Sequence, residues 1–230
     1  MKNFISFVIL VLVLFPVYAQ QANPVSDFRF IEKDGEITIT GYQSESKTVV
    51  IPGTINNLPV TTIQMYAFDE KDLTGIVIPN TVTTIGRGAF SKNNLGRVVI
   101  PDSVKTIGNR AFHDTGLNSV IIGKNVTQIG REVFRDNQLT TVIIPDSVTE
   151  LGNHAFLNNK LSSVTIGSSL SVLNTCVFKN NELTSIVIPE TVTSIISEAF
   201  AGNKLTEVTV PRGTTFPRHA FDEGVRIIRQ

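Results

Sequence analysis

The chain has one cysteine, Cys176, and no tryptophan among its 230 residues. A single thiol forms no disulfide within the chain, which excludes the disulfide-rich scaffolds and the zinc ribbons, since both need several cysteines. Charge also shows no pattern, because 20 basic groups balance 20 acidic groups and no block of like charge occurs. The sequence therefore lacks the clustered positive charge that indicates binding to nucleic acid or to an anionic membrane surface.

Long apolar runs are missing too, apart from a short one at the start of the chain. Lys2 precedes a nearly continuous apolar stretch at residues 4–13, and Val17-Tyr18-Ala19 ends in a small residue. This pattern is typical of a secretory signal cleaved after Ala19, and the run is too short to favour the alternative of a membrane anchor. We predict a signal peptide at residues 1–19, no membrane span, and an exported protein that is secreted, periplasmic or associated with the outer surface.

What the chain does have is a repeat of 22 residues. The repeat places phenylalanine at Phe68, Phe90, Phe112, Phe134, Phe156, Phe178 and Phe200, and leucine at Leu73, Leu95, Leu117, Leu139, Leu161, Leu183 and Leu205. A unit this short cannot bury its own apolar face, so neighbouring copies must stack on one another. The sequence therefore predicts a repeat solenoid.

Each copy begins with a strand pattern and then turns a corner. In Leu73–Ile78 the first, fourth and sixth residues are apolar, as in every copy, and proline or glycine follows. Copies related by a right-handed coil should pair as one parallel β-sheet on the concave face. An apolar pair such as Val82 and Ile85 returns the chain to the core, and the alanine before most of the phenylalanines predicts a short 3₁₀ or helical turn on the convex face.

Two further residue types recur every 22 positions, each set forming one column of the repeat, and both indicate close contacts between copies. Glycine recurs at Gly86, Gly108, Gly130 and Gly152, but the same column continues as Asn174 and Ile196, which favours tight packing over a need for positive φ. Asparagine recurs at Asn93, Asn137, Asn159, Asn181 and Asn203. We expect these amides to bond unpaired backbone groups of the next copy.

The two ends of the repeat array differ from its middle. Residues 28–42 predict a β-hairpin that turns at Asp34-Gly35, a pair that a type I′ turn favours. We divide the chain into a signal peptide at 1–19, the hairpin cap with a long first repeat at 20–72, a seven-strand array at 73–210, and a partial repeat with a capping strand at 211–230.

These motifs resemble the BspA-type leucine-rich repeat proteins of bacteria, particularly those of oral anaerobes and treponemes. The resemblance lies in the hairpin DGEITITGY, in the long first copy that ends at Asn57–Ile63, and in the repeated IPxxVTxIGxxAF. It implies a leucine-rich-repeat-like coil. It also implies a secreted or surface module that binds matrix proteins, fibrinogen or other cells and carries no catalytic activity.

No set of residues in the pattern suggests an enzyme. His154 and His219 share a column but lie three copies apart, about 14 Å at the usual strand spacing, which is too far for a common metal. Catalytic and phosphate-binding motifs are missing from the sequence. We predict no catalytic residue, no metal, no cofactor and no enzyme activity.

The outward face of the strands carries the candidate binding residues. Counted from the leucine that begins each copy, the fifth residue of the strand faces outward and is a large aliphatic residue in most copies. Arg97 is the charged residue beside them, and threonine occupies part of the same face. Strand propensity alone favours β-branched residues there, but a contiguous apolar patch also indicates a binding surface. The predicted binding residues are Val77, Val99, Ile121, Ile143, Val187, Arg97, Thr141 and Thr165.

Two functions are compatible with this surface. The first is a non-catalytic, adhesin-like module that binds host extracellular matrix or cell-surface proteins through the concave sheet. The second is a periplasmic or envelope scaffold in which the same face mediates self-association.

Overall fold

The computed structural model describes residues 21–230. The predicted signal peptide at residues 1–19 lies outside the described residues and stays a prediction. Over the described range, the structure contains no helix with the length and apolar character of a membrane span.

Short parallel strands at the start of each repeat form a first ladder. Residues one repeat apart pair directly, as Arg97 does with Ser119 and Thr141 with Ser163. Its strands are Thr48–Val50, Gly75–Val77, Arg97–Val99, Ser119–Ile121, Thr141–Ile143, Ser163–Thr165, Glu207–Val210 and Arg226–Arg229, with a single bridge from Val187 to Thr209. Regular strand pairing joins these coils two by two. The predicted solenoid and its parallel pairing are confirmed.

A second ladder follows the corner of each repeat, where the sequence analysis expected only an apolar pair. Its two-residue strands are Thr84–Ile85, Thr106–Ile107, Gln128–Ile129, Glu150–Leu151, Val172–Leu173 and Ser194–Ile195. From the hairpin to Glu150–Leu151 this ladder is one unbroken sheet, joined through Leu58–Ile63, against which Thr54–Ile55 also pairs. In each strand the second residue is buried and the first is more exposed. The coil thus has two sides that carry strands.

The turn before each phenylalanine is an isolated hydrogen-bonded turn instead of a helix. Its residue two positions before phenylalanine is left-handed, with φ of 60° at Arg110, 57° at Glu132 and 62° at His154. This conformation interrupts a helical run and points alternate N–H groups at the next coil, so that Phe68 N–H donates to the Ala89 carbonyl at 2.8 Å. Within residues 21–230, 3₁₀ helices occur only at Val25–Asp27 and Arg218–Ala220.

The repeat phenylalanines stack as one column through the core. Each is fully buried, and neighbouring ring centroids lie 5.1–5.7 Å apart as far as Phe221. Tyr42 and Phe28 of the hairpin cover the first ring, while Phe216 meets Phe221 edge-on at 5.6 Å. Aromatic side chains therefore close both ends of the column, and neither end is left facing water.

Asparagine side chains tie each coil to the preceding one. The Asn159 amide donates to the carbonyls of Phe134 and Phe156 at 2.9 and 3.2 Å, and its Oδ1 accepts from Leu139 N–H at 3.1 Å. The same bonding recurs at Asn93, Asn137, Asn181 and Asn203. The asparagine ladder is present, but the prediction that its partners lie in the next copy is wrong: they lie in the preceding coil and in the turn of the asparagine's own coil.

Different structures cover the two ends of the repeat array. At the start, Phe28–Lys33 and Glu36–Tyr42 form the predicted antiparallel hairpin, with φ of 54° at Asp34 and 78° at Gly35, as a type I′ turn requires. At the other end, the Arg229 guanidinium lies 4.6 Å from the Phe216 ring centroid and donates to the Pro211 carbonyl at 3.3 Å.

Candidate functional site

Five large aliphatic side chains lie exposed along the first ladder, and we call them the aliphatic stripe. Their exposed fractions are 41% for Val77, 47% for Val99, 49% for Ile121, 69% for Ile143 and 82% for Val187. The strands position them, because side chains alternate between the two faces and the residue before each one, such as Val98 or Val142, packs toward the core. Among residues 21–230, the other exposed large apolar side chains are only Val25, Ile31, Met65 and Tyr66.

The stripe follows the strand register of the coils. Val99 pairs with Ile121, and Ile143 pairs with Thr165, so the side chains form neighbouring rows on one face. Thr165 separates the first four aliphatic residues from Val187. Thr141 and Thr165 are exposed on the same face. All eight residues predicted from the sequence therefore lie on the exposed side of the first ladder.

A hollow of about 480 Å³ opens at one end of the stripe. Val77 and Val99 line it together with Gly75, whose missing side chain leaves room between Thr48 and Arg97. Arg97 is exposed, and its guanidinium forms no ion pair with any residue of the range 21–230. This end of the stripe thus combines an apolar floor with one unpaired positive charge.

A second group of charged residues was missed by sequence reasoning. Arg110, Arg131 and Arg135 surround Glu132, a carboxylate that is 1% exposed. Its oxygens lie 2.8 Å from Arg110 Nε, 2.7 Å from Arg131 Nε and 3.5 Å from an Arg135 terminal nitrogen. Burial raises the pKa of the Glu132 carboxyl, but the hydrogen bonds from Arg110 and Arg131 outweigh burial and hold that pKa below its ordinary value. Glu132 therefore stays ionised.

Burial shifts the pKa values of two further side chains, Cys176 and His154. Burial is the largest cause that raises the pKa of the Cys176 thiol, and the nearby Glu198 raises it further. Burial also lowers the pKa of His154, whose Nδ1 has no hydrogen-bond partner within residues 21–230. In the same range, no three His, Cys, Asp or Glu side chains come together as metal ligands would.

Strands at two corners of a 22-residue coil, around a stacked core, define a leucine-rich-repeat solenoid. The family model described as the BspA type leucine rich repeat region matches residues 61–183 and 105–227 in six copies, so the chain belongs to this family. The resemblance seen in the sequence motifs is confirmed.

Solved structures of bacterial repeat proteins are similar to the chain. The T. pallidum leucine-rich repeat protein TpLRR is 28% identical with a TM-score of 0.74, over 80% of this chain and 91% of that protein. A leucine-rich repeat protein from Bacteroides ovatus is 22% identical with a TM-score of 0.70, over 90% of this chain and 67% of that protein, and shows the shared fold alone. A comparison with curated protein sequences found no significant match.

Proposed function

We propose that the chain is a non-catalytic protein-binding module that engages its partner across the exposed face of the first ladder. The observation that supports this most directly is the aliphatic stripe, since monomers seldom leave contiguous apolar side chains in water without a use. Arg97, Thr141 and Thr165 lie on the same face and supply polar contacts around the stripe. Arginine beside apolar side chains is a common anchor in protein interfaces.

The free energy of binding requires that one partner contacts several coils at once. Full burial of one Val or Ile side chain contributes roughly 1.5–3 kcal/mol, whereas association costs about 4–15 kcal/mol in lost motion. One aliphatic side chain is therefore insufficient, and most of the stripe must be covered by one partner. A rigid solenoid favours this, because its side chains are already aligned before the partner arrives.

We further propose that the protein is exported and binds a host matrix or cell-surface protein. The apolar N-terminal pattern and the membership in the BspA-type family support this. The hollow beside Gly75 gives the partner a place for an apolar side chain next to an acidic group, which Arg97 would pair.

The test is a paired substitution within the stripe, measured on chain 20–230. Ile121→Glu with Ile143→Glu places two charges on adjacent rows and should abolish capture of the chain by immobilised fibrinogen and matrix proteins. The matched control is Thr127→Glu with Thr149→Glu, which adds the same charges to exposed positions directly before the second-ladder strands of the same two coils. Undiminished capture by a folded stripe variant would refute the proposal.

The same stripe also fits a second copy of the chain, as an envelope scaffold would require. Sedimentation of the purified chain separates the two functions. A dimer that the stripe variant dissociates, together with protection from protease on intact cells, would favour the scaffold over the adhesin-like binder.

A further inference from the structure

A polar hollow of about 270 Å³ lies on the turn that follows the second ladder. Its lining consists of Arg87, Asn109, Arg110 and Arg131, and we call it the arginine hollow. These residues lie ten or eleven positions after the residues of the aliphatic stripe in the same coils, on a different side of the solenoid. Nothing in the proposed protein-binding face uses them.

The glycine column creates this hollow by allowing coils to approach closely. A side chain at Gly108 would place its Cβ 2.6 Å from the backbone nitrogen of Arg87, and one at Gly130 would lie 2.6 Å from Asn109 Oδ1. Each glycine is followed directly by a lining residue, so Arg87, Asn109 and Arg131 form one file, one residue per coil. The chain brings these side chains together although they are 22 residues apart.

Buried Glu132 orients two of the three guanidinium groups. It accepts from Arg110 Nε and Arg131 Nε at 2.8 and 2.7 Å, which leaves the terminal nitrogens of both groups free to donate outward. Asn109 Oδ1 accepts from the Arg131 backbone N–H at 2.8 Å, so its NH₂ group is the side that is left for a ligand. Arg87 is exposed and lies with its guanidinium carbon 5.8 Å from the Tyr66 ring centroid.

Charge and hydrogen-bond capacity both point to one ligand chemistry. The lining carries three guanidinium groups, and Glu132 is the one carboxylate that two of them contact, which leaves an excess of two positive charges at the hollow. The groups left to contact a ligand are N–H donors, and no free acceptor oxygen of the lining side chains competes with an anion. Planar guanidinium groups donate in pairs to the oxygens of phosphate and sulfate.

We propose that the arginine hollow is a second binding site, distinct from the aliphatic stripe, that takes a sulfate or phosphate group of a larger ligand. A single tetrahedral oxyanion fits the volume of the hollow, and Arg87, Arg110 and Arg131 of its lining supply the donors. Glu132 does not touch the ligand in this arrangement; it is a positioning residue that fixes two of the three donors.

The experiment is a titration of ¹⁵N-labelled chain 20–230 followed through the arginine Nε–H signals. Sodium sulfate and sodium phosphate are added at constant ionic strength against sodium chloride, and we expect saturable shifts of the Arg87, Arg110 and Arg131 signals. A heparin hexasaccharide and inositol hexakisphosphate serve as the sulfated and phosphorylated probes, and the tighter of the two identifies the source of the anion. Linear shifts spread over all arginines would show ordinary surface screening and overturn the proposal.

Arg87→Gln is the decisive variant, because Arg87 makes no contact with Glu132 and its loss leaves the buried ion pairs intact. We expect affinity for the better probe to fall by about fivefold, as for one charge-assisted bond lost at an exposed site. Arg212→Gln is the matched control, since Arg212 is an exposed arginine without an ion-pair partner in the described range and lies far along the chain. Equal losses in both variants would mean that net charge alone binds the anion.

Glu132→Gln separates positioning from charge. It raises the net positive charge of the hollow, so a site that works by charge alone would bind more tightly. We expect weaker binding instead, because Arg110 and Arg131 lose the carboxylate that orients them. The stripe variant Ile121→Glu with Ile143→Glu should lose partner capture but leave the anion titration unchanged. Failure of one proposal can therefore be told apart from failure of the other.

Discussion

Two positions of the same repeat, one pointing into the core and one pointing out of the first ladder, differ in how much the residue type varies from copy to copy. The inward column is phenylalanine in all seven full copies and is fully buried, whereas the fifth-position outward column changes among valine, isoleucine and threonine. Dense core packing explains the first column, because each ring fills the space between two others. Packing does not explain the aliphatic residues of the second column, since between 41% and 82% of the surface of each one is exposed to water. The comparison separates residues that hold the coils together from residues available for a partner.

The largest loss of stability is expected from a cavity in the phenylalanine column. Phe134→Ala should lower the free energy of unfolding by about 3–5 kcal/mol, because the rings of Phe112 and Phe156 lie 5.7 and 5.2 Å from that of Phe134 and cannot both collapse into the gap. Guanidinium denaturation measures the loss. Phe134→Leu, which leaves a smaller void, should cost clearly less, and equal costs would contradict the packing argument.

The asparagine ladder comes next in expected effect. Asn159→Ala removes the partner of Leu139 N–H and of two phenylalanine carbonyls in a buried setting, and it should cost about 1–3 kcal/mol. Asn94→Ala provides the control, since Asn94 is exposed and its side chain is absent from the inter-coil bonding, so its effect should stay within about 0.5 kcal/mol. Similar midpoints in urea for both variants would argue against a structural role for the ladder.

The outward column should give the smallest effect on stability. Ile143→Thr copies the residue that the next coil carries at Thr165, and the exposed position should change the free energy of unfolding by less than about 0.5 kcal/mol. Partner capture by the same variant should nevertheless weaken, because Ile143 is 69% exposed and central to the stripe. A large fall in stability would show that the outward residues support the fold, and would argue against their being available to bind a partner.

The 22-residue period allowed most of the fold to be predicted from the sequence, because residues of one column must meet in a stacked coil. The phenylalanine column and the asparagine ladder followed from it, whereas the hairpin was predicted from the Asp34-Gly35 pair. The second ladder was not predicted, since a two-residue strand such as Thr84–Ile85 is too short to show alternation.

The candidate stripe was also visible in the sequence, but the arginine hollow was not. Arg87 and Arg110 are 23 positions apart and Arg110 and Arg131 are 21 positions apart, so these arginines form no block of like charge in the sequence. Glu132 gives no signal either, because its burial depends on arginines from two coils. Writing the sequence in rows of 22 residues brings Arg87, Asn109 and Arg131 into one column and would have revealed the hollow.

The left-handed residues of the turns have a consequence for how this scaffold tolerates heat. Lys92 and Asp114 adopt φ of 53° and 54°, a conformation that is unfavourable for residues with a side chain, whereas the same column holds Gly202 at 71°. Glycine at Lys92 would relieve that strain and lose only an exposed ion pair with Glu70, which contributes little. Substitutions of this kind would raise the thermal stability one coil at a time, at positions outside the aliphatic stripe and the arginine hollow.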